Sequence, residues 1–279
     1  MNPKIRVINA FSALSYEDFM AFDKAEPEFK ALKSVYDKGV NERLLSIIGV
    51  AAALIDYMLP KGGARLFWSD LCRIAMAIEI KSLSDVEKLF NIFLTTRTTR
   101  RLNLQKMKRA QIFFNKVAGK ILNNFESYRK NPNTLWDELT LCFNTKPWRK
   151  TIAFAMKVFD IVSLVCRNRY LKFSEMWIPV DFHIRELTII FKLADESAKN
   201  KAIIEAWKEI SSRVERIAQN GINLFRIDSV LWQIGNLMYE REKGGHVWNK
   251  EKVLGYMLRI GVNENHAVKF VEEIDKIQQ

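Results

Sequence analysis

Residues 133–165 read NTLWDELTLCFNTKPWRKTIAFAMKVFDIVSLV, and residues 177–187 read WIPVDFHIREL. In the first segment Leu135, Leu139, Cys142 and Phe143 recur at helical spacing. Asn133 and Thr134 are good N-cap types, and Asp137 and Glu138 suit the positive end of a helix. Pro147 cannot continue that helix, disfavours helical geometry at Lys146, and fits near the first turn of the next. The next helix opens at Lys150 with an apolar stripe of Ile152, Ala155, Met156, Phe159, Val162 and Cys166. Two helices joined by a short cationic hairpin result. Asp181, after Pro179, then heads a new apolar-periodic run. Lys146, Arg149 and Lys150 gather at a helix N-terminus, which already favours anions such as phosphate. The same residues also suit a solvated basic turn between two core helices.

The rest of the chain reads as helix nearly throughout. Glu42–Met58 buries Leu44, Leu45, Ile48, Ala51, Ala52 and Ile55, and Pro60-Lys61-Gly62-Gly63 stops it. Leu66–Ile80 follows. Ser84 and Glu87 stand at capping-box spacing for a helix to about Leu94. After TTRTTRRLNLQKMKRAQ comes a helix through Phe125. Ile184–Ala194, Lys201–Ala218, Ser229–Met238, Lys250–Ile260 and Asn265–Ile277 complete the set, with Glu240–Gly245 (EREKGG) as an exposed linker. Strand alternation is rare. The fold class is therefore all-α.

A hydrophobic share of 48% and a charged share of 27% are ordinary for a globular protein. The net charge of +12 points to a polyanionic partner. Cys72, Cys142 and Cys166 lie in apolar periodic segments and form no close pair, which suggests a reducing compartment and no disulfide. MNPKIRVINAF is too polar for a signal peptide, and no apolar run is long enough to span a bilayer. The expected location is cytoplasmic, associated with the nucleoid. His183, His246 and His266 belong to no ligand-spaced motif, so no metal is expected, and phosphate-loop and dinucleotide fingerprints are absent.

Four groups of residues suit chemistry. Lys150 suits a nucleophile, since an amine attacks only when neutral. Its ordinary pKa is about 10.4, and Arg149, Lys146, the helix N-terminus and partial burial would lower it. Most lysines instead sit at the surface or hold phosphate. Asp181 suits a plain N-cap, a carboxylate beside such an amine, or both. Arg97, Arg100, Arg101, Lys106 and Lys108 lie among Thr and Asn, a mixture that suits phosphate contacts or a solvated face. Trp68, Phe154 and Trp232 would hold an extruded base if they are not simply core.

In order and spacing, TTRTTRRLNLQKMKR, KTIAFAMKVF, IPVDFHI and DSVLW (Asp228–Trp232) resemble the archaeal GO glycosylases, the archaeal 8-oxoguanine DNA glycosylases of the helix-hairpin-helix superfamily. The resemblance spans about Ala51 to Met238. It implies one glycosylase unit of two interleaved helical subdomains, with the helix-hairpin-helix over about 133–168 and a cleft between the subdomains; a C-terminal helical extension over 246–279 lies past the matched stretch. It implies a bifunctional DNA N-glycosylase and β-lyase, without cofactor, acting as a monomer on double-stranded DNA containing oxidised guanine. Lys150 would attack the sugar C1′ with Asp181 assisting. Phe154 and Trp232 would hold the base, with Asp228 and Lys157 as polar contacts and Trp68 and Met58 nearby. Lys146, Arg149, Arg97, Arg100 and Arg101 would grip DNA. Three places depart from the family pattern: Thr99 stands where an asparagine is expected, Met58 where a base-reading glutamine is expected, and KGGAR where a Gly-x-Gly-Glu turn is expected. A thioether cannot replace an amide's paired donor and acceptor. A helical nucleic-acid-binding module without an active lysine, or a glycosylase for another damaged base, are the rival readings.

Overall fold

Helix α4 (Glu42–Ile55) is apolar on every side, and a helix of that kind belongs inside a core. In the computed structural model, which describes residues 2–60, 63–218, 222–240, 242 and 244–279, every residue from Leu44 to Ile55 is buried. The described residues are mainly helical, as the periodicity predicts, with one two-residue antiparallel ribbon. They form two compact units: Pro27–Met176, and Met1–Glu26 with Trp177–Gln279.

The Pro27–Met176 unit is built on α4 and α10 (Lys150–Arg167), which pack along much of their length. Gly49 permits the close approach. A Cβ there would stand 2.9 Å from Val158 Cγ1 and 3.3 Å from Val162 Cγ2. Around this pair lie α3 (Pro27–Asp37), α5 (Gly63–Ala77), α6 (Leu83–Phe93), α7 (Asn103–Phe113), α8 (Gly119–Lys130) and α9 (Pro132–Cys142). A 3₁₀ turn at Arg97–Thr99 precedes α7, and a π-turn at Phe114–Ala118 joins α7 to α8.

The other unit holds α1 (Pro3–Ser12), α2 (Tyr16–Ala25), α11 (Phe182–Ile190), α12 (Asn200–Ala218), α13 (Leu224–Met238), α14 (Lys250–Arg259) and α15 (Glu264–Gln278). Strands β1 (Tyr239–Glu240) and β2 (Gly245–His246) form the ribbon. The last helix, α15, lies against the first, α1. There Phe11 meets Phe270 at 5.3 Å and Trp207 at 5.8 Å between ring centroids. Helix α13 packs on α2 through a fully buried ion pair, Arg226 Nη1 to Asp23 Oδ2 at 2.8 Å. The Ser229 hydroxyl donates to Asp23 Oδ1 at 2.5 Å.

Several sequence boundaries move. Helix α9 begins at Pro132, so Asn133 is not its cap; its side chain instead accepts from Ser174 N and donates to Glu175 O, both at 2.8 Å. Proline is well suited to the first helical position, which explains the earlier start. The capping box is Ser82 with Asp85, two residues before the expected pair, because Asp85 also accepts the Lys81 and Ser82 amides at 3.0 and 2.9 Å. Helix α7 starts inside the basic stretch, after Leu102 in the left-handed region (φ 55°). Helix α13 starts five residues before Ser229, capped by Asn223, so Asp228 lies within the helix. Of the expected Glu240–Gly245 linker, Glu240 and Gly245 pair in the ribbon, and residues 241 and 243 lie outside the described residues. Residues 61 and 62 of the expected stop after α4 also lie outside them.

Asp23 sets up one test of this core. Removing it breaks the fully buried pair with Arg226, a loss that typically costs about 3–5 kcal/mol. Asp23→Ala should lower the stability found by urea unfolding by that amount, and a loss near zero would show that the pair does not hold α13 to α2.

Candidate active site

The hairpin is set by backbone geometry before any charge acts. Helix α9 ends at Cys142, and Asn144 takes a left-handed conformation (φ 43°). The Trp136 indole donates to Pro147 O at 3.0 Å, tying the turn back to α9. Arg149 occupies the cap position of α10, and its carbonyl accepts from Ile152 N and Ala153 N at 2.8 and 3.0 Å. Lys150 is therefore the first residue of α10, half-buried, with Lys146 and Arg149 exposed beside it. Phe154 and Lys157 follow at helical spacing on the same face. Phe154 is half-buried and Lys157 buried.

Arg109 of α7 braces this hairpin, and no local sequence signal marks it. Its Nη2 donates to Thr151 Oγ1 at 2.7 Å, and its guanidinium lies 4.5 Å from the centroid of the Phe143 ring. One side chain thus joins the end of α9 to the first turn of α10. Cation–π contact of this kind strengthens where water is excluded. Its partners are more than thirty residues away in sequence, so periodicity cannot reveal them.

The residues just after α4 carry the Met58 departure from the family pattern. Asp56 accepts the Trp68 indole N–H at 2.9 Å, and both residues are buried. The Trp68 ring lies inside the unit, at 0% exposure, bracing this turn. Met58 has φ 49° and is 55% exposed. Lys106 corrects one expectation: grouped with the phosphate-contacting residues, it is fully buried, with its ammonium 5.4 Å from the Tyr57 ring. Burial holds this amine below the usual lysine range, opposed by the Asp56 charge. Arg97, Arg100 and Arg101 are exposed, as is Lys108. Arg97 and Arg100 line an open pocket of about 550 Å³ with Thr95, Thr96 and Asn103.

In the other unit Asp181 caps α11, its Oδ1 accepting from Ile184 N at 3.0 Å. Asp228 is 3% exposed on α13, and Trp232 and Gly235 continue along its face. The half-buried Trp232 ring meets His183 edge-on, with centroids 6.3 Å apart. His183, two residues after Asp181, hydrogen-bonds His246 of β2, Nδ1 to Nε2, at 2.8 Å. Spacing in sequence did not suggest this partnership. Among the described residues no group of three His, Cys, Asp or Glu side chains is placed to hold a metal, the three cysteines are free, and no helix is long and apolar enough to cross a membrane.

Two archaeal proteins named N-glycosylase/DNA lyase align with most of the chain. The one from Methanococcus maripaludis is 22% identical over 213 residues, 76% of this chain and 79% of the relative. The one from Methanopyrus kandleri is 26% identical over 210 residues, 74% of this chain and 78% of the relative. The crystal structure of 8-oxoguanosine-complexed Pa-AGOG, an 8-oxoguanine DNA glycosylase from Pyrobaculum aerophilum, has the same fold. It superposes with a TM-score of 0.70 at 20% identity, covering 96% of this chain and 95% of that one. The AGOG family, described as N-glycosylase/DNA lyase, matches residues 8–268. The all-α fold and this match over nearly the whole length agree, and the rival reading of a non-enzymatic binding module falls away. The chain belongs to the AGOG family of N-glycosylase/DNA lyases.

Proposed function

We propose that this DNA glycosylase/lyase removes 8-oxoguanine from double-stranded DNA, with Lys150 as nucleophile. The observation that carries the reading is the place of Lys150: first residue of α10, at the mouth of a braced cationic hairpin. In the proposed reaction the neutral Nζ attacks C1′ of an extruded nucleotide, and the bond from C1′ to the base nitrogen breaks, its electron pair leaving with the base. The C1′–O4′ bond then breaks, its electron pair and a proton from the attacking nitrogen going to O4′, and the C1′=N bond that forms is the Schiff base. Removal of a C2′ proton then expels the 3′ phosphate, which is the lyase step. Asp181 stabilises the cationic sugar as the base departs. The same carboxylate caps α11, so its position is held by the helix it starts.

Base recognition is assigned to four residues. Phe154 and Lys157 lie on α10, and Asp228 and Trp232 on α13. Extruded bases are held between apolar faces and read by hydrogen bonds, and these residue types match that need. Trp68 acts indirectly, by holding Asp56 and the turn that presents Met58. Lys146, Arg149, Arg97, Arg100 and Arg101 supply exposed cations for phosphate, in keeping with the net charge of +12. The named ligand of the Pyrobaculum structure supports oxidised guanine as substrate. One observation favours a second reading. Met58, exposed at a turn, offers a thioether where the family pattern has an amide, and this suits a different damaged base.

Borohydride trapping on a panel of lesion-containing duplexes tests the nucleophile and the substrate together. The wild-type protein should form a covalent adduct most readily with 8-oxoguanine, and Lys150→Gln should form none. An adduct that survives the substitution moves the nucleophile to Lys146 or Lys157, and stronger trapping on another lesion selects the second reading. Asp181→Asn keeps a cap-competent side chain, so the fold should persist. Its single-turnover rate should drop about 10²–10⁴-fold, the usual scale for a positioned proton-transfer or charge-stabilising group, with duplex affinity nearly unchanged. Turnover at the wild-type rate would remove Asp181 from the mechanism.

A further inference from the structure

The first turn of α11 carries Asp181 as its cap, bonded to Ile184 of the same helix. The angle at which the helix presents the carboxylate depends also on what α11 packs against. His183 occupies the contact. A Cβ on Gly235 of α13 would lie 2.7 Å from His183 Cβ and 3.4 Å from His183 Cα, so the two helices meet here at a distance only glycine allows. The His183 ring then faces Trp232 at 6.3 Å and Tyr239 at 6.2 Å, both nearly perpendicular to it. Its Nδ1 is hydrogen-bonded at 2.8 Å to Nε2 of His246, on the strand that follows Tyr239 in the ribbon. Phe182 closes the cluster over His246, with ring centroids 5.0 Å apart. One imidazole therefore touches the helix of Asp181, the helix of Trp232 and the ribbon leading into the C-terminal segment.

We propose that His183 and His246 are a positioning pair for the glycosylase reaction, through which residues after Met238 hold Asp181 and Trp232 in register. The inference rests on the proposed roles of Asp181 and Trp232. A metal is not the explanation for the pair, because 2.8 Å is a direct hydrogen-bond distance and no third ligand joins it among the described residues. The bond needs at least one neutral ring, since two imidazolium ions have only donors to offer each other. Burial, then the neighbouring His183, push His246 down to about 4, with Asp181 pulling the other way. The ionisable groups facing it are Asp181 and His183 from α11 and Tyr239 from β1; Trp232 and Gly235 of α13 bring no charge. The folded-state value lies below the ordinary 6.5, so the neutral ring is the form the fold prefers. The contribution to stability is complete above about pH 6.5 and is lost as pH falls through about 4.

The full-length protein supplies the test. His246→Ala should lower the single-turnover excision rate about tenfold while duplex Kd stays within about twofold, and His246→Gln, whose amide can still bond a neutral His183, should restore most of the rate. Equal losses in both variants, or no loss in either, overturn the proposal. If His246→Ala does not fold, nitrogen-15 NMR of the wild-type imidazoles decides. A coupling across the Nδ1–Nε2 bond at pH 7, with His246 staying neutral down to about pH 5, is expected, and independent titration near pH 6.5 overturns it. Full turnover by Asp181→Asn would mean that the underlying mechanism has failed. An inactive Asp181→Asn beside a fully active His246→Ala would mean that only the positioning role has failed.

Discussion

Two apolar helices cross where one of them has no side chain. Gly49 lets α4 come within contact of Val158 and Val162 on α10, and a larger residue at 49 would have to push α10 away. Protein interiors are close-packed and do not absorb such a change smoothly. The position of α10 fixes where its first residue, Lys150, emerges. The Arg109 brace then fixes the hairpin ahead of it, joining Phe143 to Thr151. If Lys150 is the nucleophile proposed above, the chain of dependence from Gly49 to Lys150 bears on rate, since a reactive amine misplaced by 1 Å can lose about two orders of magnitude.

Charge is used in two opposed ways. At the surface, Lys146, Arg149, Arg97, Arg100 and Arg101 are exposed, as the proposed phosphate contacts require. Inside, Arg226 is fully buried and matched by Asp23, and Lys106 is buried beside Asp56 and Tyr57. Buried cations of this kind are costly unless an acid or an aromatic face receives them, so each records a specific neighbour rather than a general attraction to DNA. The Asp56–Trp68 hydrogen bond belongs to the same class: a polar contact kept dry, which holds the turn bearing Met58.

Much of the architecture was legible in residue order. Leu135, Leu139 and Cys142, the break at Pro147, and the stripe from Ile152 to Cys166 defined both arms of the hairpin, because a helix interior tolerates neither proline nor an interrupted apolar face. Asp181 was legible as a cap for the same local reason. The errors were local competitions between near-equal signals. Ser82-Asp85 and Ser84-Glu87 both satisfy capping-box spacing, and the backbone amides that Asp85 collects decided between them. Lys106 looked like its exposed neighbours because composition carries no information about which side of α7 faces inward.

The sequence by itself determined an all-α chain, the helical hairpin with Lys150 at its mouth, and a family likeness that the AGOG match bears out. These follow from spacing within a turn or two, where covalent geometry already restricts the outcome. Tertiary structure alone decided that Arg109 clamps Phe143 to Thr151, that Trp68 serves Asp56, and that His246 returns to meet His183 across 63 residues. Such contacts depend on packing between elements distant in the chain, and no periodicity encodes which distant side chain will fill a given gap.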